Sequence, residues 1–180
     1  MASIGDTPFD PSDYSFTVAE AAQVSGVTEM QIRNWIRRDV TTVGKKNRLG
    51  RIMFNALDIV GLRVVGDLGH LLNVDPSASI PIAAQVSEHC GQWLQKDNHH
   101  LHATEDGFKR ETRLVVHLSE DHKSASLTPF AWGDSVFGFK VSERGEGSDW
   151  TRHPFLILPV EQIFCDVLDA LFAILESEES

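Results

Sequence analysis

Arg33, Asn34 and Arg37, with Met30, recur at i, i+3, i+4 and i+7, a spacing that sets all four on one side of an α-helix. Guanidinium and carboxamide groups are the side chains that pair with base edges in a major groove, arginine with guanine and asparagine with adenine. Arg33, Asn34 and Arg37 are therefore the base-edge candidates. Thr28 precedes them, and Arg38, Lys45, Lys46, Arg48 and Arg51 follow. Their hydroxyl, ammonium and guanidinium donors suit phosphate oxygens. Gln31, on the same helix, completes the set expected to face double-stranded DNA.

Charge is segregated in the same way. Between Gln31 and Arg51 seven cations stand against Asp39 alone, a surplus of six. From Leu68 to Ser180 there are 8 basic and 18 acidic residues, a deficit of ten that equals the formal net charge of −10 for the whole chain. One basic patch on an acidic body orients an encounter with a polyanion and limits non-specific adhesion. The acidic half is open to RNA polymerase or another protein partner.

Positioning these groups requires a particular order of elements. Thr17 caps a short helix over Val18 to Gln23 in which Val18, Ala21 and Ala22 share a face. Ser25-Gly26-Val27 breaks it, Gly26 taking a positive φ and Val27 returning to the core. Thr28 opens a second helix with Gln31 three residues on, a capping box, and Ile32, Trp35 and Ile36 form its buried stripe. Thr41 to Gly50 then reads as a glycine-flanked basic hairpin leading into the strand Arg51 to Phe54. Asn55 or Asp58 starts a third helix, with Leu57, Val60, Leu62, Val64 and Val65 packed under the first two, and with Gly61 and Gly66 as weak points. Helix, turn, helix, basic hairpin, helix is the order of a winged helix-turn-helix.

The same residues resemble the DNA-binding domain of the MerR family and its winged-helix relatives. The matching positions are Thr17, then Ser25-Gly26-Val27-Thr28, Ile32-Arg33-Asn34-Trp35-Ile36, Gly50-Arg51-Ile52-Met53-Phe54, and Asp58 with Leu62. The resemblance covers roughly the first third of the chain. It implies that Thr28 and Arg33 touch DNA from the second helix and that Arg51 touches phosphate from the wing. Asn34-Trp35-Ile36 stands where the family has a tyrosine pair and a glutamate, and is closer to the versions in phage excisionases and phage terminase small subunits. The expected function is a MerR-like, sequence-specific transcriptional regulator acting as a dimer. The alternative is a phage-type DNA-packaging or excisionase-like recombination factor, and a third reading is a winged fold used only for protein contact.

The expected fold class is α+β: residues 1–13 a flexible tail, 14–74 the winged helix-turn-helix, and 75–180 a small antiparallel sheet with flanking helices. Asp75 to Ser79 reads as a linker, and Pro81 as the first turn of a helix running to about Gln95 with Ile82, Ala83, Val86, Cys90, Trp93 and Leu94 as its stripe. Strands are expected over Arg113 to Leu118, Leu127 to Trp132, Ser135 to Val141 and Phe155 to Leu158. Pro159 starts the last helix, whose wide apolar band nominates Phe164, Val167, Leu168, Leu171, Phe172 and Leu175 for a homodimer seam.

Other chemistry finds little support. His99, His100 and His102, near Glu105 and Asp106, sit in a polar stretch without a second ligand pair at fixed spacing, so no metal site and no cofactor is expected. His117 and His122 read as structural or exposed. Cys90 and Cys165 read as buried thiols of a reducing cytoplasm. No glycine-rich phosphate loop, nucleophile elbow or histidine-glutamate zinc motif is present, so no catalytic residue is nominated and an enzyme is not expected. The apolar stretch from Phe155 to Leu175 is broken by charged residues and cannot span a membrane.

Overall fold

Two threonines start the first two helices by the same device. Thr17 Oγ1 accepts from the Glu20 amide while the Glu20 carboxylate accepts from the Thr17 amide, opening α1 (Val18–Ser25). Thr28 Oγ1 accepts from the Gln31 amide at 3.3 Å, and Gln31 Oε1 accepts from the Thr28 amide at 3.1 Å, opening α2 (Glu29–Arg37). Each box satisfies amides that helix geometry leaves without partners. Between the helices Gly26 adopts φ 74°, with its amide donating to the Ala22 carbonyl, and Val27 returns to the core at 3% exposure. The computed structural model describes residues 10–41, 43–95, 112–118, 125–131 and 155–178.

After α2 the chain forms a two-stranded antiparallel hairpin, β1 (Lys45–Lys46) and β2 (Ile52–Met53), with Lys45 opposite Met53 and Lys46 opposite Ile52. It is tied to the body at its base. Phe54 donates to the Phe16 carbonyl at 2.8 Å and Phe16 to the Phe54 carbonyl at 3.0 Å, and both rings are buried. Asn55 rather than Asp58 caps α3 (Ala56–Leu72); Asp58 takes the return position of a third capping box. Part of the expected tail is anchored at this point. Pro11 is buried, its carbonyl accepts from the Ala56 amide at 3.0 Å, and the Ser12 carbonyl accepts from the Asn55 side chain. Residues 1–9 lie outside the described residues.

The linker expected at Asp75 to Ser79 is instead the start of α4 (Pro76–Gln95). Asp75 Oδ1 accepts from the Ser77 amide at 2.8 Å and its carbonyl accepts from Ala78 and Ser79, while Ala78 and Ser79 are buried. Pro76 occupies the first helical position, where a missing N–H costs nothing, so Pro81 falls inside the helix and not in its first turn. An interior proline costs about 3 kcal/mol. Burial of Ala78, Ile82, Ala83, Val86 and Cys90 offsets it. Trp93 and Leu94 are helical, but their side chains are outside the described set.

Gly61 and Gly66 are close-approach positions, not weak points. A Cβ on Gly61 would lie 2.9 Å from Ser87 Oγ of α4, and that hydroxyl donates to the Leu57 carbonyl of α3 at 2.9 Å. A Cβ on Gly66 would lie 3.1 Å from Val27 Cγ2 in the α1–α2 turn. The helical entropy cost of glycine, about 1 kcal/mol each, is exchanged for two tight packings.

A second sheet has the order β4-β3-β5, all antiparallel, from β3 (Thr112–Leu118), β4 (Ala125–Ala131) and β5 (Phe155–Pro159). Pro159 ends β5, paired with Arg113, and α5 (Val160–Glu178) begins one residue later. The strand expected at Ser135 to Val141 and the histidine-rich stretch lie outside the described residues. Helix α5 packs against α1, α3 and α4. One continuous cluster of buried side chains therefore crosses residue 75, joining Phe16, Ile32, Phe54 and Ile59 to Phe164, Val167 and Leu171. Among the described residues the fold is a mixture of five helices with small antiparallel sheets, and no helix is long and apolar enough to cross a membrane.

Candidate nucleic-acid interface

The outer face of α2 is built by its own periodicity. Ile32 is fully buried in the common core, and on the other side Met30, Arg33 and Arg37 are exposed, Met30 at 71%. Trp35 and Ile36, expected as buried anchors, are only half-buried. Trp35 instead forms one wall of a 270 Å³ cleft between the α1–α2 turn and the end of α3, lined also by Val27, Gln31, Gly66, His70 and Asn73.

Four of the nominated residues are engaged with one another in two pairs. The Thr28 hydroxyl donates to Gln31 Oε1 at 2.8 Å in addition to the two capping bonds, so both side chains are committed to starting the helix before any ligand arrives. Arg37 Nη2 donates to Asn34 Oδ1 at 2.9 Å, which holds two base-edge candidates side by side and leaves the Asn34 amide nitrogen as a donor. Arg33 is paired with Glu29 at 3.1 Å, with side chains 59% and 48% exposed. Such a solvated i, i+4 pair contributes about 0.3–0.5 kcal/mol. Its consequence is electrostatic: Glu29 places a negative charge on a face whose nominated residues are all basic or neutral. The i, i+4 spacing signals this pair in the sequence, but a charge window opened at Gln31 leaves Glu29 out.

The hairpin contributes the remaining cations. Lys45 Nζ lies 4.2 Å from the Tyr14 ring centroid, a cation–π contact that fixes the first strand to the segment ahead of α1. Lys46, Arg48 and Arg51 are exposed and, among the described residues, form no ion pair. Arg38, the C-cap of α2, is also exposed, and Asp39 beyond it turns the chain with φ 51°. The hairpin begins at Gly44, whose φ of 81° excludes most side chains and whose Cβ would meet Ile52 Cγ2 at 2.9 Å.

Asp58 joins the hairpin to α3, a role that its spacing in the sequence does not signal. Its Oδ2 accepts from the Gly44 amide at 3.1 Å and from the Asn55 amide at 3.4 Å. Burial pushes its carboxyl above the usual aspartate range, and the two amides and the nearby Lys45 charge offset this only in part. The folded chain thus holds more protons than the unfolded one in the window just above pH 3.8. This contribution to stability is present at low pH, falls as pH rises through that window and is level above the folded pKa. Asp58→Asn keeps an acceptor for both amides without the charge. Its stability relative to the parent is expected to rise with pH across that window in urea unfolding at successive pH values, and parallel curves would remove Asp58 as the source.

The side chains nominated for a dimer seam divide. Phe164, Val167, Leu168 and Leu171 are buried in the chain's own core, and only Phe172 and Leu175 are half-buried. The band is apolar as its spacing predicts, but most of it closes on α1, α3 and α4. Cys90 is buried as expected, whereas Cys165 is half-exposed. The side chains of β3, including His117, and the residues around His99 and His122 lie outside the described set. Compared with protein-family models and with curated proteins, the chain matches none of them.

Proposed function

We propose that the chain is a sequence-specific DNA-binding regulator in which residues 14–74 act as a winged helix-turn-helix of MerR-like kind. Helix α2 enters the major groove, and the β1–β2 hairpin is the wing that rests on the flanking backbone. The observation that supports this most is the pairing of two exposed cationic groups on tied elements. Arg33 and Arg37 project from α2, while Lys46, Arg48 and Arg51 project from a hairpin clamped to α3 by Asp58 and to the α1 entry by Phe54. In this reading Asn34, Arg37 and Arg33 read base edges, and Arg38 and the hairpin cations hold phosphates. The protein acts as a dimer through the half-exposed end of α5, with Phe172 and Leu175 at the contact.

Asn34→Ala is expected to relax preference at one base position by about 1–3 kcal/mol while leaving binding to random duplex nearly unchanged. Selection of bound sites from fragmented genomic DNA, repeated with the variant, measures this. Equal loss on selected and random DNA takes Asn34 out of the readout. Molar mass determined on the same samples separates a regulator, which stops at a dimer or tetramer, from a packaging adaptor, which forms a ring. Absence of salt-sensitive binding to any duplex favours a protein-contact role for the winged fold.

A further inference from the structure

Leu49 stands at the far end of the hairpin and is 80% exposed. Isolated exposed leucines are common and need no function, so exposure alone says little. Three further features set this one apart. The first is rigidity. Asn47 Oδ1 accepts from the Leu49 amide at 2.9 Å and from the Arg51 amide at 3.0 Å. The Asn47 amide donates to the Arg51 carbonyl at 2.8 Å, and Gly50, at φ 77°, donates to the Asn47 carbonyl at 2.9 Å. The turn that presents Leu49 is already ordered, so inserting the side chain elsewhere forfeits little backbone entropy.

The second feature is that Leu49 takes no part in the fold: it belongs neither to the buried cluster nor to the half-buried shell around it. The third is its setting. Arg48 precedes it, Arg51 follows after Gly50, and Lys46 lies on the strand below, all exposed. An apolar tip between cations is the composition of a side chain that enters a narrow minor groove, where basic residues meet enhanced negative potential and an apolar group separates a base step.

We propose that Leu49 is a wedge that enters the minor groove beside the site of α2 and bends the duplex. The proposal rests on the DNA-binding reading above and deepens it: affinity then depends on how readily a base step opens under the tip, which favours pyrimidine–purine steps such as TA. An anionic lipid surface also accepts an apolar tip among cations. Arg37 suits either polyanion, but the Asn34 carboxamide it holds is neutral and carries base-edge chemistry that a lipid surface does not use, which favours DNA.

The test uses the full chain and a 40-base-pair duplex with a central TA step, its ends labelled for energy transfer. The wild type brings the ends closer on binding. Leu49→Ala binds about tenfold more weakly, keeps the same slope of affinity against salt and leaves the duplex straight, and Leu49→Phe restores the bend. Because the side chain lies outside the core, neither variant endangers folding. Salt-dependent binding by the wild type with equal bending by Leu49→Ala overturns the wedge and leaves the DNA reading intact. Absence of salt-dependent binding by the wild type removes both. Leu49-dependent binding to phosphatidylserine vesicles, with the duplex left straight, overturns the wedge and assigns the tip to a lipid surface.

Discussion

Phe164→Ala is expected to lower the unfolding free energy by about 3–5 kcal/mol and to take the amino-terminal helices down with α5 in one transition. The ring is fully buried in the cluster that also contains Phe16, Ile32 and Phe54, and α5 lies directly against α1 and α3. Truncation removes a large side chain from between rigid elements, and the void is shared by helices from both ends of the chain. Since a domain has about 5–15 kcal/mol in total, a loss of this size consumes much of it. Urea unfolding followed by circular dichroism, with duplex binding measured on the same samples, checks the result. A loss under about 1 kcal/mol, or an α1–α2 signal that survives after α5 has melted, shows that the two parts stand separately. Phe172→Ala is the control: half-buried, it costs less stability and acts on the molar mass.

The second large effect concerns binding and not folding. Replacing Lys46, Arg48 and Arg51 together with alanine is expected to reduce the slope of log affinity against log salt by about 2.7, some 0.9 for each phosphate no longer neutralised. At 0.1 M salt this corresponds to about 10²–10³-fold weaker binding to every duplex, cognate or random. Stability should change by no more than about 0.5 kcal/mol, because the three side chains are exposed and without ion pairs among the described residues. Lys45 and Arg33 are left out by design. Removing Lys45 also breaks its contact with Tyr14, and removing Arg33 uncovers Glu29, so neither isolates an interaction with phosphate. An unchanged salt slope in the triple variant places the hairpin away from the DNA.

Local signals in the sequence translated well into structure. Thr17, Thr28 and Gly26 act through neighbours a few residues away, so caps and turn are readable from spacing alone, and the basic hairpin is framed by Gly44 and Gly50 in the same way. What escaped depends on partners far along the chain. Ser-Ala-Ser after Pro76 has the composition of a linker, yet the segment is helical because α3 offers it an apolar face to bury. The band on α5 announces burial without naming what covers it. Asp58 reads as a helix start, and only the folded chain brings the Gly44 amide to its carboxylate. The candidate surface is legible as a set of cations and, through its i, i+4 spacing, in the Arg33–Glu29 pair, but not in the Arg37–Asn34 bond. The Arg37–Asn34 and Arg33–Glu29 contacts decide which donors are already engaged.

The continuity of the core has a consequence for biosynthesis. Phe16 and Phe164 are made far apart in time: at about 5–20 residues per second, the ribosome needs roughly 7–30 s to travel from one codon to the other. For the part of that interval that follows their synthesis, the nascent α1 and α3 lack the α5 face that covers them in the folded chain. The emerging polypeptide is thus expected to expose a chaperone-binding surface until α5 is made, and a fragment that stops short of α5 is expected to aggregate and not to fold on its own.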